Sequence, residues 1–181
     1  MKIRAVLGAC VIAGVLFSST AAQTDSGAAP SPCGAPETSQ FDFWLGEWHC
    51  HSSYTDSLGV DHPYTVRNTI TRELGGCVIV ENFDGATIGL VGRSLSVYNA
   101  ELGKWQQTWV DNNGSYMAFE GEFVDGVMTL GRTVDTESGR YVQRMRFTEI
   151  TDSSFIWFWE SSDDNGESWR IQWRLDYERV R

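Results

Sequence analysis

Phe41-Asp42-Phe43-Trp44-Leu45-Gly46-Glu47-Trp48 puts four aromatic side chains into eight residues, and strand-like alternation begins directly after it. So many rings in a short segment supply a large area to bury. Phe41 to Leu45 reads as a turn or single helical turn that plugs one end of a sheet. Gly46 allows the tight bend from plug to first strand, and Trp48 points into the core.

From Gly46 onward, strand-like runs alternate with turn signals at the spacing of an all-β barrel or sandwich. The runs cover roughly 46–54, 64–73, 77–84, 88–98, 104–111, 115–124, 127–134, 140–150, 154–161 and 168–177. Gly75-Gly76, Asn112-Asn113-Gly114, Asp125-Gly126, Ser138-Gly139 and Asp163 to Gly166 separate them, and Asn-Gly and Asp-Gly favour hairpins because they tolerate positive φ. Trp169, Ile171, Trp173 and Leu175 alternate with Arg170, Gln172, Arg174 and Asp176, so one face of that run is buried and the other wet. No long helical period interrupts the pattern. About ten consecutive strands with short turns predict a single up-and-down antiparallel β-barrel, which removes exposed edges. A sandwich is the alternative. A barrel of this size holds a small molecule inside.

Upstream, Met1-Lys2-Ile3-Arg4, an apolar run from Ala5 to Phe17 and small residues from Ser18 to Ala22 form a secretory signal cleaved after Ala22. The apolar run is shorter than the roughly 20 residues of a membrane span, and no later segment is apolar enough to insert. Leu7-Gly8-Ala9-Cys10 resembles a lipoprotein box but precedes most of the apolar run. Residues 23–36 read as a flexible leader rich in Ala, Ser, Gly and Pro, and 37–181 as the barrel. Loss of Lys2 and Arg4 leaves 12 basic against 24 acidic residues, a net of −12, with Lys104 the remaining lysine. That charge disfavours nucleic acid and anionic membranes as partners. Export to the periplasm or medium means an oxidising compartment, so Cys33, Cys50 and Cys77 predict one disulfide and one leftover thiol. Cys50 shares the inward face of Trp48 and serves there as a small apolar group. The expected bridge is therefore Cys33–Cys77.

The plug followed by Gly46-Glu47-Trp48 resembles the Gly-x-Trp start of lipocalin-like barrels (calycins). Together with Gly75-Gly76-Cys77, Gly92-Arg93-Ser94, Trp105-x-Gln107-Thr108-Trp109-Val110-Asp111 and Trp159-Glu160-Ser161-Ser162, the chain resembles a family of secreted bacterial proteins known only as a domain of unknown function. The resemblance covers about residues 33–178. It implies a lipocalin-like barrel and brings no established reaction or ligand.

Ser162-Asp163-Asp164-Asn165-Gly166-Glu167-Ser168-Trp169 resembles the Asp-box pattern of sialidases and other β proteins. As a single copy it reads as a hairpin in which Asp164 bonds turn donors and Trp169 packs beneath. The full calcium-loop pattern is absent. His49-x-His51, with His62 following, has metal-ligand spacing, yet Trp48 and Cys50 take the inward face and leave the imidazoles in solvent. Haem binding, as in nitrobindin-like barrels, needs an inward histidine. No Gly-x-Ser-x-Gly elbow exists, and Glu120 and Glu122 fit an outward solvated face better than a glycosidase pair. No catalytic residue, metal or cofactor is assigned.

The aromatic strands point to a lumen. Trp105, Gln107, Trp109 and Asp111 share one strand face; Phe155, Trp157, Trp159 and Ser161 share another. The two indoles of 104–111 fix its inward face, and alternation carries Gln107 and Asp111 inward. A buried amide needs a partner, and the candidates to meet Gln107 are Arg144, Arg93, an ordered water or a ligand. The candidate site is thus Trp105, Gln107, Trp109, Asp111, Arg93, Arg144, Trp157 and Trp159. The expected function is non-catalytic binding of a small, partly apolar molecule by an exported protein. An acid–base enzyme using the same cavity, with Asp111, Glu81 or Arg144, and a structural envelope protein are the alternatives.

Overall fold

A computed structural model describes residues 33–137 and 139–181. The expected signal sequence and residues 23–32 of the leader lie outside the described residues. Ten strands follow a short aromatic segment: β1 Gly46–Thr55, β2 Asp61–Glu73, β3 Val78–Gly85, β4 Leu90–Asn99, β5 Lys104–Asp111, β6 Tyr116–Val124, β7 Val127–Thr136, β8 Gly139–Thr148, β9 Ser154–Ser162 and β10 Arg170–Arg179. Each pairs antiparallel with its sequence neighbour, and β1 pairs β10, closing an up-and-down barrel. Closure gives every strand a partner on both sides. Each expected run corresponds to one strand. The fourth begins at Leu90 because residues 86–88 form a 3₁₀ turn ended by Gly89 at φ 76°. The last begins at Arg170 because the Asp-box turn holds Ser168 and Trp169.

The plug is two 3₁₀ turns, Pro36–Ser39 and Asp42–Trp44. Phe41 is fully buried and meets Trp105 and Phe147 edge to face at 4.7 and 5.5 Å. Trp48 Nε1 donates to the Trp44 carbonyl at 2.7 Å, fastening plug to strand. Arg179 fixes the floor from the far end of the chain. It donates to the carbonyls of Leu45, Phe43 and Asp152 and lies 4.1 Å over the Trp48 ring. Cys33 and Cys77 form a disulfide across a separation of 44 residues, tying the arm before the plug to the β2–β3 turn. Cys50 is the buried free thiol. The disulfide points to an oxidising environment. No helix of the described residues is long and apolar enough to cross a membrane.

One strand inverts the usual pattern. In β4 the small residues Gly92, Ser94 and Ser96 face inward and are buried, while Val91, Leu95 and Val97 face outward, Leu95 at 54% exposure. The reason lies on β5: a Cβ on Gly92 would stand 2.2 Å from Trp109 Cζ2. The Trp109 indole occupies the space a β4 side chain would fill.

Candidate ligand-binding site

At the plugged end the barrel is solid. Trp105, 1% exposed, lies under Phe41 and donates from Nε1 to Gln40 Oε1 at 3.0 Å. Above this layer a cavity of about 270 Å³ opens toward the other end. Trp109, Trp157, Trp159 and Trp173 wall it, with Phe83, Met117 and Met145 between them. Trp157 and Trp173 meet edge to face at 5.5 Å, and Trp159 meets Phe119 the same way at 5.7 Å. Trp173 is oriented by donating to the Tyr64 hydroxyl at 2.7 Å.

The cavity reaches Trp44, Glu81 and Tyr177 toward the plug and Asp111 and Gln143 toward the open end. Glu81 is 7% exposed and held from both sides. Asn68 Nδ2 donates to Oε1 at 2.7 Å and the Ser94 hydroxyl to Oε2 at 2.6 Å. Asn68 Nδ2 also donates to the Tyr177 hydroxyl at 2.9 Å, and Tyr177 is hydrogen-bonded with Cys50. Burial raises the Glu81 pKa against the opposing pull of these hydrogen bonds, so the neutral acid is favoured. Burial likewise pushes up the Cys50 thiol and the Tyr177 hydroxyl. At the other end, partial burial works against ionisation of Asp111. The hydrogen bonds from Trp109 Nε1 and from the amides of Ser115 and Asn113 outweigh it and hold the carboxyl below its usual range.

Of the expected site, Trp109, Asp111, Trp157 and Trp159 line the cavity. Trp105 and Gln107 face inward but belong to the packed layer. Gln107 is 3% exposed, and its partner is Ser96, whose hydroxyl accepts from Nε2 at 2.9 Å, in place of either candidate arginine. Arg93 is corrected to the outer surface, because Gly92 and Ser94 take the inward positions beside Trp109. Arg144 is also outside, since Gln143, Met145 and Phe147 carry the inward face of β8. There it donates from Nε to Glu160 Oε2 at 2.5 Å and stacks 3.7 Å over Trp169, clasping the β9–β10 hairpin. The Asp-box turn is structural: Asp164 accepts from Ser162 and Ser168, and Trp169 Nε1 donates to the Gly166 carbonyl.

The histidines bind no common centre. His51 Nδ1 lies 2.9 Å from the Thr65 hydroxyl and His62 Nε2 2.8 Å from Asp56 Oδ2. Among the described residues no three His, Cys, Asp or Glu side chains cluster to hold a metal.

Sequence reasoning offered Glu81 only as a titratable group, and missed Asn68, Ser94, Trp173 and Arg132. The signal for Arg132 was present: Met128 and Leu130 set the inward parity of β7, and Arg132 continues it. Its Nε donates to Gln143 Oε1 at 2.8 Å, and its guanidinium stands 5.6 Å over the Phe119 ring.

Fold and cavity together define a plugged ten-stranded β-barrel with an aromatic lumen. No protein-family model matches this chain, and no curated protein sequence matches it.

Proposed function

We propose that this protein is an exported, non-catalytic carrier or sensor that holds one small, partly apolar molecule in the barrel lumen. The observation that supports it is the roughly 270 Å³ cavity walled by four indoles, with a few polar groups at its ends. Ligand pockets run from about 300 Å³ upward and combine apolar walls with sparse polar contacts, so the occupant is small. Trp44 lines this cavity, and its Nε1 is a buried donor without an acceptor among the described residues. A hydrogen-bond acceptor on the ligand fits it. The same reading keeps the chain beside the secreted bacterial family that its Phe41–Trp48 motif resembles.

The carboxylates lining the cavity are Glu81 and Asp111; both Glu81 oxygens are engaged by Asn68 and Ser94, and those of Asp111 by Trp109 Nε1 and the amides of Asn113 and Ser115. A general acid or base must reach the reacting proton, so binding is the better-supported reading.

Isothermal titration calorimetry with 4-phenylbutanol, a neutral probe, tests the lumen. The parent should bind it. Met117→Trp fills the cavity wall and should weaken binding by about tenfold or more, as overpacking of a formed site does. Absence of binding to the parent, or equal binding to Met117→Trp, refutes the reading.

A further inference from the structure

The wall between β6 and β7 is incomplete. Their ladder runs from Val124↔Val127 to Glu120↔Gly131 and stops. Residues 116–119 of β6 pair only with β5, and residues 132–136 of β7 only with β8. A broad concavity of about 1020 Å³ crosses the outer face at this place, bordered by Thr108, Ala118, Gly131 and Trp169. Phe119 and Gln143 line both this concavity and the lumen. Arg132 sits between them, bonded to one and stacked over the other.

The bonding of Arg132 is incomplete as well. Nε donates to Gln143, while Nη1 and Nη2 have no hydrogen-bond partner among the described residues. No carboxylate of the described residues pairs with it, although Arg72, Arg140, Arg144, Arg146, Arg170 and Arg174 each have one. Partial burial lowers the proton affinity of Arg132, with Tyr141 opposing, so its surroundings desolvate part of the cation while no carboxylate neutralises it. A guanidinium in that position is a ready receptor for a planar anion, because two Nη donors match the two oxygens of a carboxylate.

We propose that the lumen ligand is a small amphipathic carboxylic acid, its carboxylate held by Arg132 at the break between β6 and β7 and its apolar body among the lumen indoles. The inference rests on the lumen reading given above. A monoanion fits better than a phosphate. One guanidinium balances one charge, and Asp111 at the same end, on a chain with 24 acidic residues, repels a second. The break in the ladder supplies the route inward, since strands not bonded to each other part without loss of backbone hydrogen bonds.

Calorimetry with 4-phenylbutanoate and its neutral amide, 4-phenylbutanamide, tests this on the full-length protein. The parent should bind the carboxylate about tenfold more tightly than the amide, the strength of a charge-assisted pair. Arg132→Leu should bind the two alike, with amide affinity near that of the parent, which also reports a folded lumen. Arg132→Lys should keep part of the preference, and added salt should reduce it. Equal affinities in the parent overturn the headgroup assignment and leave the lumen reading standing, as does a carboxylate preference that survives Arg132→Leu. If the parent binds neither probe, lumen reading and inference fall together.

Discussion

Replacing Trp48 by alanine should cost about 3–5 kcal/mol of stability, toward the upper end of that range. The indole is 1% exposed and packs against Phe155 and Tyr177 at 5.0 and 6.0 Å. Truncation opens a cavity between the plug and the β1–β10 seam, and close packing on three sides limits its collapse. Two further losses accompany it. The Trp44 carbonyl loses its donor in a buried place, worth about 1–3 kcal/mol, and the Arg179 guanidinium loses the ring beneath it, worth about 0.5–1 kcal/mol at an accessible site. These overlap with the packing loss and do not add in full. Trp48→Phe separates them: it retains an aromatic body and removes only the donor, and should cost about 1–3 kcal/mol. Urea unfolding followed by far-UV circular dichroism gives both values, provided the slopes match the parent. A cost below about 1 kcal/mol for Trp48→Ala, the range of surface changes, refutes the plug as an anchored element. A Trp48→Phe variant as stable as the parent refutes the role of the Trp48–Trp44 hydrogen bond.

Two other perturbations probe the lumen walls. Burial raises the Glu81 pKa, so the folded chain retains a proton that the unfolded chain releases above about pH 4.3. Its contribution to stability is full below that pH and is lost as pH rises through the folded value. Glu81→Gln keeps an acceptor for Asn68 and a donor for Ser94, and its stability relative to the parent should rise as pH increases above the ordinary carboxylate range; an unchanged difference in urea midpoint from acid to neutral pH counts against a buried titrating Glu81. Gly92→Ala drives a Cβ to 2.2 Å from Trp109 Cζ2 and should cost about 1–3 kcal/mol while red-shifting tryptophan emission; parent-like stability and emission mean that Trp109 does not lie over β4.

The strands were legible because turns and alternation are local. Asp125-Gly126 alone gives away the β6–β7 hairpin, and the ladder from Val124↔Val127 onward obeys it. The Cys33–Cys77 bridge followed from the inward parity of Cys50, again a property of one strand. What failed was the matching of faces across strands. Arg144 was placed inside to satisfy Gln107, but the nearest polar group to Gln107 is Ser96, directly opposite on β4. A serine is easily overlooked as the partner of a buried amide, and β4 was misread because its hydrophobic residues face solvent. That inversion exists only because the Trp109 ring lies over Gly92, a contact between strands that no single run of sequence encodes.

The inward polar groups divide by whether the fold satisfies them. Glu81 has Asn68 and Ser94, and Gln107 has Ser96. Buried polar groups satisfied in this way fix strand register and add nothing that a ligand needs. Removing one partner costs more than the pair contributes, so such groups resist change without serving function. Asn68 Oδ1 is a buried acceptor without a partner beside Glu81, and Trp44 Nε1 and the Arg132 Nη groups are donors without one among the described residues. Trp44 belongs to the lumen wall on the plug side and Arg132 stands at the wall break, and the hydrogen-bonding capacity of these two donors is not used by the fold. Both are donors, and the lumen between them is walled largely by rings. A molecule complementary to that arrangement carries an acceptor at one end, an anionic group at the other and an apolar span between, which is why the carboxylate and its amide, identical in span, discriminate where the fold alone does not.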